Sequence, residues 1–277
     1  MEQNYVVYHL HDDKGSLLDS CTKWEDYVDL AASYGMKAIA STNHGYNLNW
    51  TEKKQYAEKK GLKFIVGCEV YLTSEIYHYP EIPDEVAQEE IGKMMDAERY
   101  KVRDNFHTIL LCKNARGVLE LNKIMGTSYD ADHKYYKPRI TFEEFFGLSD
   151  NIIKISACLA SPLRKYTSEC DGFRQEVYDK LCETYDYYEI QYHDCDDQKE
   201  YNQYLWELSK KYHKPLIAAT DTHSLNAYKA ECRKILMMGK GIEFTGEDEF
   251  DLTFKSYNEL VDAFTVQDAL PREVWME

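Results

Sequence analysis

The stretch VVYHLH carries two histidines one residue apart, His9 and His11, at the end of an apolar run that reads as a buried strand. Residues two apart on a strand share a face, so both imidazoles point to one side. Comparable residues close other apolar runs: His44 in STNHG, Glu69 in GCEVY, Cys158 in ISACLAS, Glu189 and His193 in EIQYH, and Asp221 and His223 in ATDTH. His107 opens its run, HTILL, and is a slight exception. Imidazole, carboxylate and thiolate are the donors that zinc and similar first-row metals select. One ion takes roughly three to six of them, so eight or nine converging donors imply two or three ions. A lone histidine is more often an ordinary core or surface residue, and His78, His133 and His213 are read that way. The strand-end set as a whole favours metal.

Seven apolar runs must position these groups: 5–10, 37–42, 63–72, 107–113, 151–157, 185–193 and 215–221. Amphipathic helix patterns lie between most of them, such as WEDYVDLAASYG at 24–35 and DQKEYNQYLWELSKKYH at 197–213. Strands alternating with helices predict an α/β fold with a parallel sheet, and seven strands suit a barrel as readily as an open sheet. In such a barrel, active sites form at the strand C-terminal ends. Neither glycine-rich phosphate loop, G-x-G-x-x-G or G-x-x-x-x-G-K-[ST], is present. Residues 74–105 read as an insertion over one mouth of the barrel, with a helix at 84–99. The barrel domain is expected over 1–240. Residues 241–277 are acidic, lack the earlier repeat and read as a C-terminal extension.

The chain has 277 residues and a net charge of −16, and such an acidic surface argues against tight binding of duplex DNA by the chain alone. No apolar stretch approaches the ~20 residues of a membrane span. The start lacks a basic flank followed by an apolar core, and the eight cysteines include no C-x-x-C pair. Reduced thiols and a cytoplasmic location are the expectation.

The ordered set HLH, SLLD, TNHG, GCEVY, HTILLCKN, YYKPR, SACLAS, EIQYHD and ATDTHSL resembles the PHP (polymerase and histidinol phosphatase) superfamily. It is most similar to the PHP domain that opens the alpha subunit of bacterial DNA polymerase III, from about residue 5 to about residue 263. YKPR at 136–139 is the polymerase-type signature. The resemblance implies a distorted seven-stranded TIM-like (β/α)7 barrel with a trinuclear site at the strand C-terminal ends. Its ligands would fall on His9, His11, Asp19, His44, Glu69, His107, Cys158, Asp221 and His223. Asp19 comes from the resemblance alone. Asn43 stands where the family usually has Asp; if that residue orients His44 by accepting its N–H, the amide carbonyl still accepts that hydrogen bond, without the charge. SACLAS carries alanines where glycines are common.

The expected chemistry is phosphoester hydrolysis assisted by two or three divalent ions (Zn, Mn or Fe), of the 3′–5′ exonuclease, proofreading type. Glu69 is the expected bridging ligand, and His107 with Cys158 would hold a third ion. Asp221 or His223 would be the general acid or base. His193 and Arg139 are assigned to substrate. The partners implied are single-stranded DNA or a primer 3′ end and other replisome subunits, with no membrane. Two rival readings remain: a non-catalytic structural PHP domain of a replicative polymerase, in which 241–277 would be the junction to a polymerase body absent from this sequence, and a stand-alone phosphatase of the histidinol phosphatase kind.

Overall fold

A computed structural model of the chain describes residues 5–16, 19–78, 93, 100–170, 172–242 and 250–276. In chain order these form α1 (Trp24–Ser33), β1 (Ala38–Ser41), α2 (Trp50–Lys59), β2 (Lys63–Thr73), β3 (Tyr77–His78), β4 (Tyr100–Lys101) and β5 (Phe106–Cys112). There follow α3 (Ala115–Ser128), β6 (Arg139–Thr141), α4 (Phe142–Phe146), β7 (Ile152–Ile155), α5 (Pro162–Lys165), α6 (Gln175–Thr184) and β8 (Tyr188–Gln191). The last are α7 (Asp196–Tyr212), β9 (Leu216–Ala219), α8 (Ala227–Gly239), α9 (Tyr257–Gln267) and α10 (Arg272–Trp275). The helix expected at 84–99 lies outside the described residues apart from Lys93. No helix among the described residues is long and apolar enough to cross a membrane.

Local chemistry sets several helix boundaries. The Asn114 side chain caps α3 by accepting from the backbone N–H groups of Arg116 and Gly117, satisfying donors that a helix start leaves unpaired. Ser256 and Glu259 form a reciprocal capping box at α9. In α7, Asp196 and Asp197 open the helix and Lys210 and Lys211 close it, each sign opposing the helix dipole.

The strands give three sheets among the described residues: β1-β2-β5-β7 with β6 also on β2, the pair β3-β4, and the pair β8-β9. Pairing is parallel for β1·β2, β2·β6 and β8·β9. It is antiparallel for β2·β5 and β5·β7, which corrects the expectation of an all-parallel sheet. The reason is in the connection. Leu72 pairs with Phe106, so the chain leaves β2 and enters β5 at the same end. No crossover helix is then required, and the pair β3-β4 lies within this return.

No continuous ladder closes the sheet among the described residues, so the closed barrel expected from the resemblance is not what the strand pairing gives. Single bridges span the gaps instead: Leu10 with Thr222, and Ile155 with Tyr187. The segment 5–11, expected as a strand, forms no ladder of its own; Ala40 N–H and Thr42 N–H donate to its Val7 and Leu10 carbonyls. A small apolar cluster takes Tyr8, Ala40, Ile109, Ile155 and Ala219 from five of the expected strand regions, and Ile65 and Tyr187 from the other two pack against it. The larger core lies between the strands and the helices. It includes Phe254, Leu260, Phe264 and Leu270, so residues 250–276 pack into the same core as Trp24 and Leu110 rather than standing apart from it.

Candidate metal centre

The two-residue period of a strand carries the inner apolar rows directly into the polar site. Glu69 lies in the row of Ile65, His107 in that of Ile109 and Leu111, and Asp221 in that of Ile217 and Ala219. Because β5 runs antiparallel, its first residues lie where the parallel strands end. His107, the exception in the sequence, therefore sits with the others, paired across the ladder with Tyr71. Asp221 adopts φ 46°, a left-handed conformation that Asp tolerates better than most residues, just past the end of β9.

Seven of the nine expected ligands form three overlapping groups: His11, His44 and His223; His9, His11 and Asp221; His44, Glu69 and His107. The groups share His11 and His44. Asp19 completes one side, with Oδ2 3.1 Å from His44 Nε2 and 3.3 Å from His223 Nε2. Cys158 Sγ lies 3.8 Å from His107 Nδ1. Glu69 faces four rings: Oε1 is 2.8 Å from His107 Nδ1 and 3.6 Å from His9 Nε2, while Oε2 is 3.6 Å from His11 Nε2 and touches His44 Nδ1.

These donors fit metal ions. His9 Nε2, His11 Nε2, His44 Nδ1, Glu69 Oε2, Asp19 Oδ1 and Asp221 Oδ1 are buried with no hydrogen-bond partner among the described residues. An orphaned buried polar atom costs about 1–3 kcal/mol. The atoms approach closely without hydrogen-bond alignment: His9 Nε2 to Asp221 Oδ1 is 3.0 Å, and His11 Nε2 to the same oxygen 3.3 Å. His44 Nε2 and His223 Nε2 stand 3.4 Å apart. Bonds of about 2.1 Å to a shared ion give ligand–ligand edges of about 3.0 Å in an octahedron and about 3.4 Å in a tetrahedron.

The far nitrogens of three rings are tied back into the protein, as metal-ligating histidines require. His9 Nδ1 is 2.8 Å from Glu189 Oε1, His11 Nδ1 3.2 Å from Ser16 Oγ, and His223 Nδ1 2.8 Å from the Asp221 carbonyl. Glu189, a strand-end carboxylate in the sequence, thus braces a ligand; Tyr8 Oη and Gln191 Nε2 donate to it as well.

Without ions, protons mediate between the clustered charges. Burial pushes the Glu69 carboxyl up, but His107 and His44 outweigh it and hold the group well below the usual carboxylate range. Asp221 is likewise held well below it, with His9 and His223 outweighing burial. Burial lowers His44, yet Glu69 and Asp19 raise it to about 10. His9 is raised well above its ordinary value, Asp221 and Glu189 outweighing burial. Burial, with His44 and His223 nearby, drives His11 well below its ordinary value. Burial keeps the Cys158 thiol protonated, with Asp221 and Glu69 adding to the effect.

A cavity of about 290 Å³ opens onto the cluster. Asp19, His44, His107, Cys158, Asp221 and His223 form its polar side, and Leu159, Phe250 and Leu252 an apolar wall. Leu252 is fixed there by its carbonyl, which accepts from the His223 and Ser224 N–H groups. Arg233 also lines the cavity, donating from Nε to the Asp19 carbonyl at 2.5 Å. No sequence signal singled out Phe250, Leu252 or Arg233, because they come from segments with no recognisable strand-end pattern.

Two substrate assignments are altered by the geometry. Arg139 is fully buried, and its guanidinium donates to the carbonyls of Val102 (2.6 Å), Asp104 (3.0 Å) and His133 (3.1 Å). It clamps loops together and does not line the cavity. His193 is buried with its ring 4.8 Å from that of Phe250, behind the cavity wall. Asn43 also differs from expectation: its Oδ1 accepts from Asp12 N–H and Ser16 Oγ, and so acts toward His11 rather than His44.

Histidines and carboxylates, with a thiol beside them, converge from strand ends into groups that could hold metal ions on an α/β scaffold. A family model described as "PHP domain" matches residues 8–193, and the chain belongs to that family. The match ends before Asp221 and His223, which the fold returns to the same groups. The DNA polymerase III subunit alpha of Borreliella burgdorferi is 28% identical over 270 residues, covering 94% of this chain and 22% of that protein. That of Aquifex aeolicus is 31% identical over 248 residues, covering 86% and 20%. The chain thus spans about a fifth of the length of these relatives. Among solved structures, a Bifidobacterium adolescentis protein provisionally assigned as a metal-dependent phosphoesterase aligns with TM-score 0.49 at 13% identity, over 95% of this chain and 97% of that one.

Proposed function

We propose that the chain is a metal-dependent phosphoesterase acting on the 3′ end of a nucleic acid strand, single-stranded DNA or a primer terminus. The observation that carries this reading is Glu69, whose two oxygens face separate histidine pairs, His9 with His107 and His11 with His44. A carboxylate so placed could be shared between two ions, the role expected of Glu69. Asp19, Glu69 and Asp221, with Cys158 once a bound ion displaces its thiol proton, would supply the negative charge to balance two or three ions of Zn, Mn or Fe. Bound there, such ions would polarise a phosphoryl oxygen and lower the pKa of a water toward neutrality.

The chain's own residues have separable roles in this reading. His9, His11 and Glu69 form the buried floor, held by Glu189 and Ser16. Asp221 and His223 line the cavity, where one can take a proton from the attacking water or return one to the leaving oxygen. Phe250, Leu252 and Leu159 offer an apolar surface on which a nucleobase can stack. His193, against the Phe250 ring, supports that wall. Likeness to polymerase alpha subunits supports a nucleic acid over a small ester, and by the same likeness replisome subunits in the cytoplasm are the proposed partners. We also propose that segment 5–11, the main sheet and the β8-β9 pair are arcs of one distorted barrel, a reading supported by the bridges Leu10–Thr222 and Ile155–Tyr187 and by the shared inner cluster.

A purely structural metal site is the second reading, favoured by the share of the relatives that this chain spans, about a fifth. Incubation with a 3′-labelled primer and Mn²⁺ separates the two. The parent chain should shorten the primer, and His11→Ala should lose at least ~100-fold of that rate with its fold retained. Equal rates in parent and variant would remove the catalytic role; turnover of a phosphomonoester but not of DNA would favour a small substrate.

A further inference from the structure

We infer that Asn43 and Ser16 are positioning residues that fix the tautomer of His11, an inference that rests on the metal-centre reading. The assignment follows from counting donors and lone pairs. The backbone N–H of Asp12 lies 2.8 Å from Asn43 Oδ1 and can only donate, so the atom facing it must be the amide oxygen. That oxygen only accepts. Ser16 Oγ, 3.0 Å away, must therefore spend its single proton on Asn43. The hydroxyl keeps two lone pairs. One receives the His44 backbone N–H at 3.4 Å, and the other faces His11 Nδ1 at 3.2 Å. His11 Nδ1 must then carry the ring proton, leaving a lone pair on Nε2, the atom 3.3 Å from Asp221 Oδ1 and 3.6 Å from Glu69 Oε2.

The relay is built with little slack. Ser16 is 3% exposed and Asn43 fully buried, so water does not compete for these bonds. A Cβ at Gly15 would lie 2.4 Å from Asn43 Nδ2, so only glycine allows the turn before Ser16 to close on the amide. His11 belongs to two of the three ligand groups, and a wrong tautomer there would weaken both.

The test uses the full chain with histidine labelled in its ring nitrogens, and Zn²⁺ as the probe ion. Metal-free parent protein should show His11 Nδ1 as pyrrole-type (protonated) and Nε2 as pyridine-type in long-range nitrogen–proton spectra at neutral pH. Ser16→Ala and Asn43→Ala should mix the tautomers and weaken Zn²⁺ binding about 10–100-fold in competition with a chromophoric chelator. Ser16→Thr, which keeps the hydroxyl, should restore both. A pyridine-type Nδ1 in the parent, which needs no variant to fold, would overturn the inference. So would Zn²⁺ affinity within twofold of the parent in Ser16→Ala. A parent that shows the expected tautomer but binds no Zn²⁺ would instead sink the metal-centre reading, leaving the relay upheld as a structural feature.

Discussion

His193 is neutral in the folded chain because burial lowers its pKa to about 4, and neither ring nitrogen has a hydrogen-bond partner among the described residues. Between about pH 6.5 and 4 the unfolded chain takes up a proton there that the folded chain refuses. Stability therefore falls as pH drops through that window, by up to about 3 kcal/mol for this group. His193→Phe should flatten the melting-temperature profile between pH 7 and 4 by one proton's worth; an unchanged slope would show that the ring is solvated. Metal ions meet the opposite situation at His9 and His44, which are held protonated by their carboxylate neighbours. Binding must displace both protons, and Cys158, whose thiol burial keeps protonated, gives up a third where it ligates, so calorimetry in buffers of different ionisation enthalpy should detect release of about three protons at pH 7. Apparent affinity should rise from pH 6.5 toward 10. Most of this chemistry was legible in residue types at strand ends. What the sequence could not reveal is which nitrogen of each ring faces inward, because that depends on partners such as Glu189 and Ser16 brought in from elsewhere.

At the scale of elements, the positions of six strands were readable as apolar runs, but their directions were not. Hydrophobic periodicity reports which face is buried, and it is the same whichever way a strand runs. The reversal of β5 follows from a connection whose ends meet at Leu72 and Phe106. Arg139 illustrates a second limit, since a motif can mark a residue without saying what it touches. Arg139→Met should leave three loop carbonyls without their charged donor and cost about 3–5 kcal/mol, with Zn²⁺ stoichiometry of the folded fraction unchanged. A loss of primer hydrolysis without loss of stability would return Arg139 to the substrate. Ala157, one of the alanines of SACLAS, sits just past β7 with φ 60°. A left-handed alanine costs roughly 1–2 kcal/mol, against about 0.5–1 kcal/mol for the greater chain entropy of glycine. Ala157→Gly should accordingly raise the melting temperature by about 2 °C, read by calorimetry.

At the scale of the whole molecule, the boundary expected at residue 240 separates parts that share one core. Acidic composition there suggested a different unit, yet Phe254, Leu260, Phe264 and Leu270 are all buried. Gln267 donates to the Gln191 and His193 carbonyls, tying α9 to the end of β8. Burial of each large apolar side chain contributes about 1.5–3 kcal/mol, so the four together rival a typical net stability of about 5–15 kcal/mol. A chain ending at 240 should show no cooperative melting transition, and one as sharp as the parent's would mean the C-terminal segment is an appendage. The molecule as a whole places one dense group of histidines and carboxylates in a strongly acidic chain, and cation binding is the chemistry that reconciles them. Elemental analysis of the purified chain, after supplementation with Zn²⁺, Mn²⁺ and Fe²⁺, tests that most directly. Two or three tightly held equivalents, lost in Glu69→Gln, are the expected result. Less than one equivalent in the parent would contradict the account.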